Sequence, residues 1–293
     1  MFTSSSTRKL ADAFLTAKRS AGRSPATLES YKYHLAHFAQ LSPQLPTAPE
    51  PIEEFLASIP GQRYRWNHYV TLRTFYRWLR KRHGVPNPIP SVERPRLEEP
   101  LPVYLDEVEL ARLLLKGTDC ERDQALIWLL ADTGMRIGEA HSITPCSVRG
   151  NLVLVQGKAR PRFVPMNPVV AEMIHGLIAD TECPHDETIW RWRHGPLTVD
   201  GLKSVVRRAF RRAGFKGPKM SAHRLRHTFA TLWEGSEMEG RLIGGWRSAE
   251  MWQRYHHLRL KRVVSEHRRF SPLIKAVLNG EGEDAAPQRP SIR

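Results

Sequence analysis

The chain has 293 residues, enough for two domains of ordinary size, with 45 Lys and Arg against 30 Asp and Glu and a formal charge of +15. That surplus favours a polyanionic partner, nucleic acid ahead of an anionic membrane surface. No run of about 18 apolar residues can span a bilayer, and Cys120, Cys146 and Cys183, an odd number without C-x-x-C, indicate neither a disulfide framework nor a zinc knuckle, which fits a reducing cytoplasm.

The first twenty residues are Ser-rich and basic like a transit peptide, but Leu10, Phe14 and Leu15 fit the start of a folded helix, which is the preferred reading. Ser24-Pro25 ahead of Leu28, Tyr31, Leu35, Phe38 and Leu41 predicts a helix with Ser as N-cap, Pro in the first turn and one buried stripe. After a Pro-rich loop (42–51), residues 52–59 and 65–82 read as helices, so 1–83 is expected to be a small helical bundle. The last helix carries an excess of one sign, and its Arg65, Arg73 and Arg77 are candidate phosphate contacts; an ordinary solvated face is an equal reading.

Six prolines between residues 84 and 102 predict a stiff extended connector and a domain boundary. Beyond it, 106–115 and 122–132 read as helices. Residues 152–155 and 162–166 read as strands of a hairpin with Lys158 near its tip. Residues 202–213 form an amphipathic pattern whose polar face presents Lys203, Arg207 and Arg211, further candidates for DNA contact, and helices resume at 224 and 249. The end, 280–293, has little apolar content and is expected to be mobile.

Moving a phosphodiester without a metal requires positive groups on the non-bridging oxygens, a nucleophile, and an acid for the leaving oxygen. His223 and Arg226, three apart on one helix face, can approach one anion, and the planar fork of arginine suits phosphate. Alone, H-x-x-R is equally a surface pair. His223 and His227 stand four apart, but the glutamate of H-E-x-x-H is missing, so no metal is expected.

The segment His223-Arg224-Leu225-Arg226-His227-Thr228-Phe229-Ala230-Thr231 resembles the second box of the tyrosine recombinases, the family of phage integrases, Xer recombinases and Cre. Thr133-Gly134-Met135-Arg136-Ile137-Gly138-Glu139 is similar to the first box, T-G-x-R-x-x-E. Gly157-Lys158 before Arg162-Phe163-Val164-Pro165 stands where the family keeps its hairpin lysine. Gly244-Gly245-Trp246 with Arg254-Tyr255 is similar to the third box and nucleophile, and the N-terminal S-P-A-T-L-E-S-Y to the core-binding domain. The resemblance covers roughly residues 10 to 270. The departures are a stretch of 20 residues from Arg226 to Trp246, implying a trimmed helix, a compact 143–155 that shrinks the sheet, and Trp246 where the third box usually has His, although Cre is similar in using Trp.

This resemblance implies a mainly α fold with a small antiparallel β-sheet: a helical core-binding domain (1–83), a linker (84–102), an α+β catalytic domain (103–270) and a tail (271–293) that docks on a neighbouring protomer. It implies that Arg136 and Arg226 clamp the scissile phosphate, that His223 hydrogen-bonds it and helps with the tyrosine proton, and that Lys158 protonates the departing 5′-oxygen. Tyr255 would form a 3′-phosphotyrosine, with Trp246 supporting it and Glu139 holding the Arg136 guanidinium. The implied partners are double-stranded DNA and further copies of the chain, a tetramer in the synapse, with no cofactor and no membrane. A cytoplasmic, nucleoid-associated location follows. With no arm-binding domain seen ahead of Leu10, a short core site is expected. Two other readings stay open: a catalytically silent DNA-binding accessory protein of recombinase ancestry, and a type IB topoisomerase or telomere resolvase.

Overall fold

The computed structural model describes residues 6–98, 101–156, 161–180, 183–255 and 267. The chain divides into two compact units, Met1–Pro100 and Leu101–Arg293.

The first unit is four helices: α1 (Thr7–Ser20), α2 (Pro25–Leu41), α3 (Glu50–Ser58) and α4 (Gln62–His83). Ser24 caps α2 by accepting from the Thr27 N–H, with Pro25 at the first helical position where its missing N–H costs nothing. The apolar stripes meet in a core centred on Phe14, Phe38, Ile52, Phe75 and Leu79, all fully buried. Two expectations are corrected here. The Pro-rich segment is not a free extended connector: Ile89–Ser91 form a 3₁₀ turn, and Val85, Ile89 and Val92 are buried in the same core. Arg65 is not an open phosphate contact, because its Nε donates to the Leu56 carbonyl and its Nη2 to that of Ile59, satisfying the C-terminal end of α3. Arg73 and Arg77 are exposed, one turn apart on α4.

The second unit begins with α5 (Glu107–Lys116), closed by a capping box between Asp106 and Glu109, followed by α6 (Glu121–Thr133) and the short α7 (Ile137–His141). A three-stranded antiparallel sheet in the order β1 (Val148–Arg149), β2 (Leu152–Gln156), β3 (Pro161–Pro165) follows. Opposed pairs Val153–Val164 and Val155–Arg162 put Val153, Val155 and Val164 into the core and Arg162 on that same inward face. Then come α8 (Pro168–Asp180), a two-stranded ribbon of β4 (Arg191–Trp192) and β5 (Gly195–Pro196), and α9 (Val199–Arg212). The last described helices are α10 (Ala222–Leu232), α11 (Glu237–Gly244) and α12 (Ala249–Gln253). Helix α11 occupies the segment expected to hold a trimmed helix. Gly240 lets it lie close to two indoles, since a Cβ there would come within 2.5 Å of Trp252 and 2.8 Å of Trp233. Lys158 and the tail 271–293, expected to dock on a neighbouring protomer, lie outside the described residues.

Candidate active site

The turn after α6 sets the first cation. Gly134 closes α6 with φ +58°, and a Cβ would sit 2.5 Å from the Phe229 ring, so neither the backbone nor the space admits another residue. The chain then enters α7 with Arg136 at its N-cap in an extended conformation; Arg136 stands just ahead of the helix rather than within it. Its Nη1 donates to Glu139 Oε1 at 3.2 Å, and both Nη atoms reach the Gly245 carbonyl at 3.4 Å. Glu139 Oε2 also accepts from the Arg136 backbone N–H at 2.9 Å.

Glu139 has a second, better-aligned partner. Arg162, from the inward face of β3, meets it with two parallel hydrogen bonds and sends its Nε to the Ile243 carbonyl at 3.2 Å. Burial opposes the charge of Glu139, but the hydrogen bonds and charges of Arg162 and Arg136 outweigh it and hold the carboxyl below its ordinary range.

Helix α10 supplies the remaining groups. Arg226 is 4% exposed; its Nη1 donates to the carbonyls of Gly134 and Gly244, its guanidinium carbon lies 3.5 Å from the centre of the Trp246 ring, and its Nη2 is buried with no hydrogen-bond partner among the described residues. Burial, and next to it Arg136, push its pKa down to about 9, so it keeps its proton at neutral pH. His223, one turn earlier, opens to solvent; its partial burial and then the charges of Arg226 and Arg136 lower its affinity for a proton. Arg136, Glu139, His223 and Arg226 line one cleft of about 380 Å³, with Gln156 at the edge where β2 leads into the hairpin.

Tyr255 stands at the rim of an aromatic cluster of Phe229, Trp246 and Trp252 and is itself buried. The Trp246 ring lies edge-on to Tyr255 with centroids 5.8 Å apart and parallel to Phe229. Gly244 exists for this indole: a Cβ there would fall 1.8 Å from it. The Tyr255 hydroxyl lies 2.8 Å from Nδ1 of His227, not against His223. Burial raises the phenol pKa, with the Trp246 side chain and the charges of Arg226, Arg254 and Arg136 opposing.

The structure thus brings Arg136, Glu139, His223, Arg226, Trp246 and Tyr255 into one connected network. It adds two residues to which the sequence reading gave no role in this site. Arg162 was signalled by strand period, since it lies two residues from Val164 and so shares its inward face; His227 was signalled by its place one turn after His223. Of the basic candidates on α9, Lys203 pairs with Asp200 at 2.8 Å while Arg207 and Arg211 are exposed; the neighbouring Arg208 and Arg212 pair with Asp123 and Asp119. No group of three His, Cys, Asp or Glu residues that could hold a metal is found among the described residues.

A sequence model described as the Phage integrase family matches residues 104–262, more than half of the chain. The chain belongs to the phage integrase family. Among its relatives, tyrosine recombinase XerC of Bacillus subtilis (strain 168) is 33% identical over 185 residues, covering 57% of this integrase-family chain and 60% of that protein. Tyrosine recombinase XerC of Oceanobacillus iheyensis is 28% identical over 264 residues, covering 80% and 86%. The first match thus spans less than two thirds of the curated relative. A crystal structure of XerH site-specific recombinase bound to a palindromic difH substrate in a post-cleavage complex superposes with a TM-score of 0.72 at 19% identity, covering 89% of this chain and 84% of that one, a likeness of fold. Among the described residues no helix is long and apolar enough to cross a membrane.

Proposed function

We propose that this protein is a site-specific DNA recombinase that breaks and rejoins strands through a 3′-phosphotyrosine, without metal or ATP. The observation that carries this reading is the convergence of two guanidiniums, Arg136 and Arg226, on one cleft, with the Arg226 guanidinium seated on the Trp246 ring that packs edge-on against the buried Tyr255. Fixed positive groups are what the charge growing on a phosphate in flight needs, and they act most strongly where water is partly excluded. Nη2 of Arg226, without a hydrogen-bond partner among the described residues, is a donor available to a phosphate oxygen.

In this reading Arg136 and Arg226 grip the non-bridging oxygens, His223 adds a hydrogen bond from the mouth of the cleft, and Tyr255 attacks phosphorus. Lys158, which lies outside the described residues, is assigned by the family resemblance to protonate the 5′-oxygen. Glu139 and Trp246 hold the arginines. The phosphoester energy stays in the tyrosyl bond, so rejoining is the reverse attack by the 5′-hydroxyl. The names of the relatives, tyrosine recombinases XerC, and the DNA-bound state of XerH point the same way.

The partner is duplex DNA, with residues 1–83 as a core-binding module, 84–102 connecting it to a catalytic module of 103–270, and 271–293 docking on a neighbouring protomer in a synaptic tetramer. Arg73, Arg77, Arg207 and Arg211 are the exposed cations best placed to contact phosphates, with Lys203 as a weaker candidate because Asp200 competes for it. The site of action is the nucleoid in the cytoplasm. The test is a nicked suicide duplex of neighbouring genomic DNA, incubated in excess chelator. A covalent adduct that Tyr255→Phe abolishes without loss of binding is the expected result. Binding without any adduct would instead make this a silent accessory protein.

A further inference from the structure

Resting on the recombinase reading, we propose that His227 is the catalytic base of the tyrosine, taking the Tyr255 proton on Nδ1 as the hydroxyl attacks phosphorus. His223, one turn away with its ring 6.1 Å from that of His227, is left to the phosphate.

The geometry supplies the first support. Nδ1 of His227 is 2.8 Å from Tyr255 Oη, and the two rings are inclined at 38° with centroids 5.4 Å apart. Phenol and imidazole can share that proton only if one of them donates. On this proposal the neutral phenol donates, which makes Nδ1 the acceptor and puts the ring proton on Nε2, the tautomer tested below. The surroundings keep the imidazole neutral: burial first, then the positive charge or potential charge of His223 and Arg226 on α10 and of Lys219 from the preceding loop, lower its pKa to about 4. On the other side of the pair, Tyr255 faces Trp246, Arg226, Arg254 and Arg136, and burial still raises its pKa. The phenol is therefore protonated at neutral pH and needs an acceptor for its proton.

A weakly basic imidazole suffices because the acidity of the phenol oxygen rises steeply once it begins to bond to phosphorus. In the step, an electron pair of Oη forms the Oη–P bond, the Oη–H proton passes to Nδ1, and the P–O5′ bond breaks. Its electrons stay on the 5′-oxygen, which takes a proton from the general acid assigned to Lys158. On rejoining, the 5′-hydroxyl returns its proton to the neutral Lys158 amine as its oxygen attacks phosphorus, the Oη–P bond breaks, and the His227 imidazolium gives its proton to the departing tyrosine oxygen. Lys158 thus ends as a cation and His227 as a neutral ring, as they began.

Two measurements test this. The first is the pH profile of single-turnover adduct formation on the suicide duplex. Wild type should be level from pH 6 to 8, because His227 is already neutral there. His227→Asn keeps an acceptor near Nδ1 but cannot take a proton; it should be slower by about 10²–10⁴ at pH 7 and should gain about tenfold per pH unit, as expected when hydroxide must replace a positioned base. Imidazole in the buffer should partly rescue His227→Ala. An Asn variant with a level profile at the wild-type rate, or one that cleaves faster, overturns the proposal, the latter by making His227 a restraint on the tyrosine. The second measurement is independent of DNA: ¹⁵N ring shifts of His227, identified by their change in Tyr255→Phe, should report the Nε2–H tautomer. An Nδ1–H tautomer overturns the proposal even if the enzyme is active, whereas a wild type that forms no adduct on any duplex counts against the recombinase reading and leaves the tautomer to decide for His227.

Discussion

Arg162 and Glu139, 23 residues apart in sequence, meet through two parallel hydrogen bonds of 3.1 Å, Nη1 to Oε1 and Nη2 to Oε2, with side chains only 14% and 6% exposed. Removing one member of such a buried pair leaves the other desolvated and unpaired, at a cost of about 3–5 kcal/mol. Glu139→Gln should therefore lower the urea midpoint of the second unit and slow cleavage, through displacement of Arg136. Arg162→Leu should show a similar loss, and the double variant much less than the sum. Additive losses would mean that the pair does not act as a unit.

The same carboxylate gives a pH dependence. Its pKa is depressed in the folded state, so its contribution to stability is complete above the unfolded value near 4.5 and is lost as pH falls through the folded one. Unfolding between pH 5 and 3 should become less steep in Glu139→Gln than in wild type. An unchanged acid limb would place that sensitivity elsewhere.

A second acid response belongs to the first unit. His34 is 8% exposed, bonded through Nδ1 to the Thr71 hydroxyl at 2.9 Å, and packed against His68, which in turn contacts His37 at 3.3 Å. Burial, then His68 and His37, push the His34 pKa down to about 4. A buried histidine kept neutral contributes stability that is complete above its unfolded pKa of 6.5 and falls away as pH drops toward 4, at most about 3 kcal/mol here. Amide exchange in α2 and α4 should quicken between pH 6.5 and 4, and His34→Gln should blunt that change. Equal exchange throughout the window would count against the cluster.

Trp246 separates packing from hydrogen bonding. Its ring carries the Arg226 guanidinium on one face and wedges between Phe229, Trp252 and Tyr255. A tyrosine displaced by about 1 Å loses about 10² in rate. Trp246→Phe keeps an aromatic face and should retain more single-turnover cleavage than Trp246→His, which keeps a donor. A Phe variant slower than the His variant would assign the residue chiefly to hydrogen bonding.

Much of this was legible in the sequence for local reasons. Ser24-Pro25, the stripe of α9 and the Asp106 cap are written in adjacent residues, and the helices and hairpin stand within a few residues of where period and caps place them. The boxes around Arg136, Arg226 and Tyr255 are recognisable because each is short and contiguous. What escaped depends on distant pairing. Helix α8 follows its opening Pro168 with two β-branched valines and holds Gly176, weak helix formers, and it is stabilised by Val170 and Ile174 entering the core. The prolines of 84–102 suggested a free strut because nothing local reveals that Val85, Ile89 and Val92 reach back into the bundle. The grip of Arg162 on Glu139 and the pairing of His227 with Tyr255 are tertiary facts of the same kind.

Gly244 and Gly245 contribute no side chain, yet their two carbonyls receive Arg226 and Arg136. Peptide oxygens satisfy donors without cancelling charge: among the described residues Glu139 pairs with Arg136 and Arg162, while Arg226 bonds only carbonyls and feels that carboxylate at longer range. Among the described residues Arg226 has no carboxylate bonded to it, and on the proposed recombinase reading a phosphate diester in the cleft completes a charge balance that folding left open. Occupancy and cohesion are, on that same proposed reading, one variable: the second unit is tightest while a strand fills the cleft and loosest between strands.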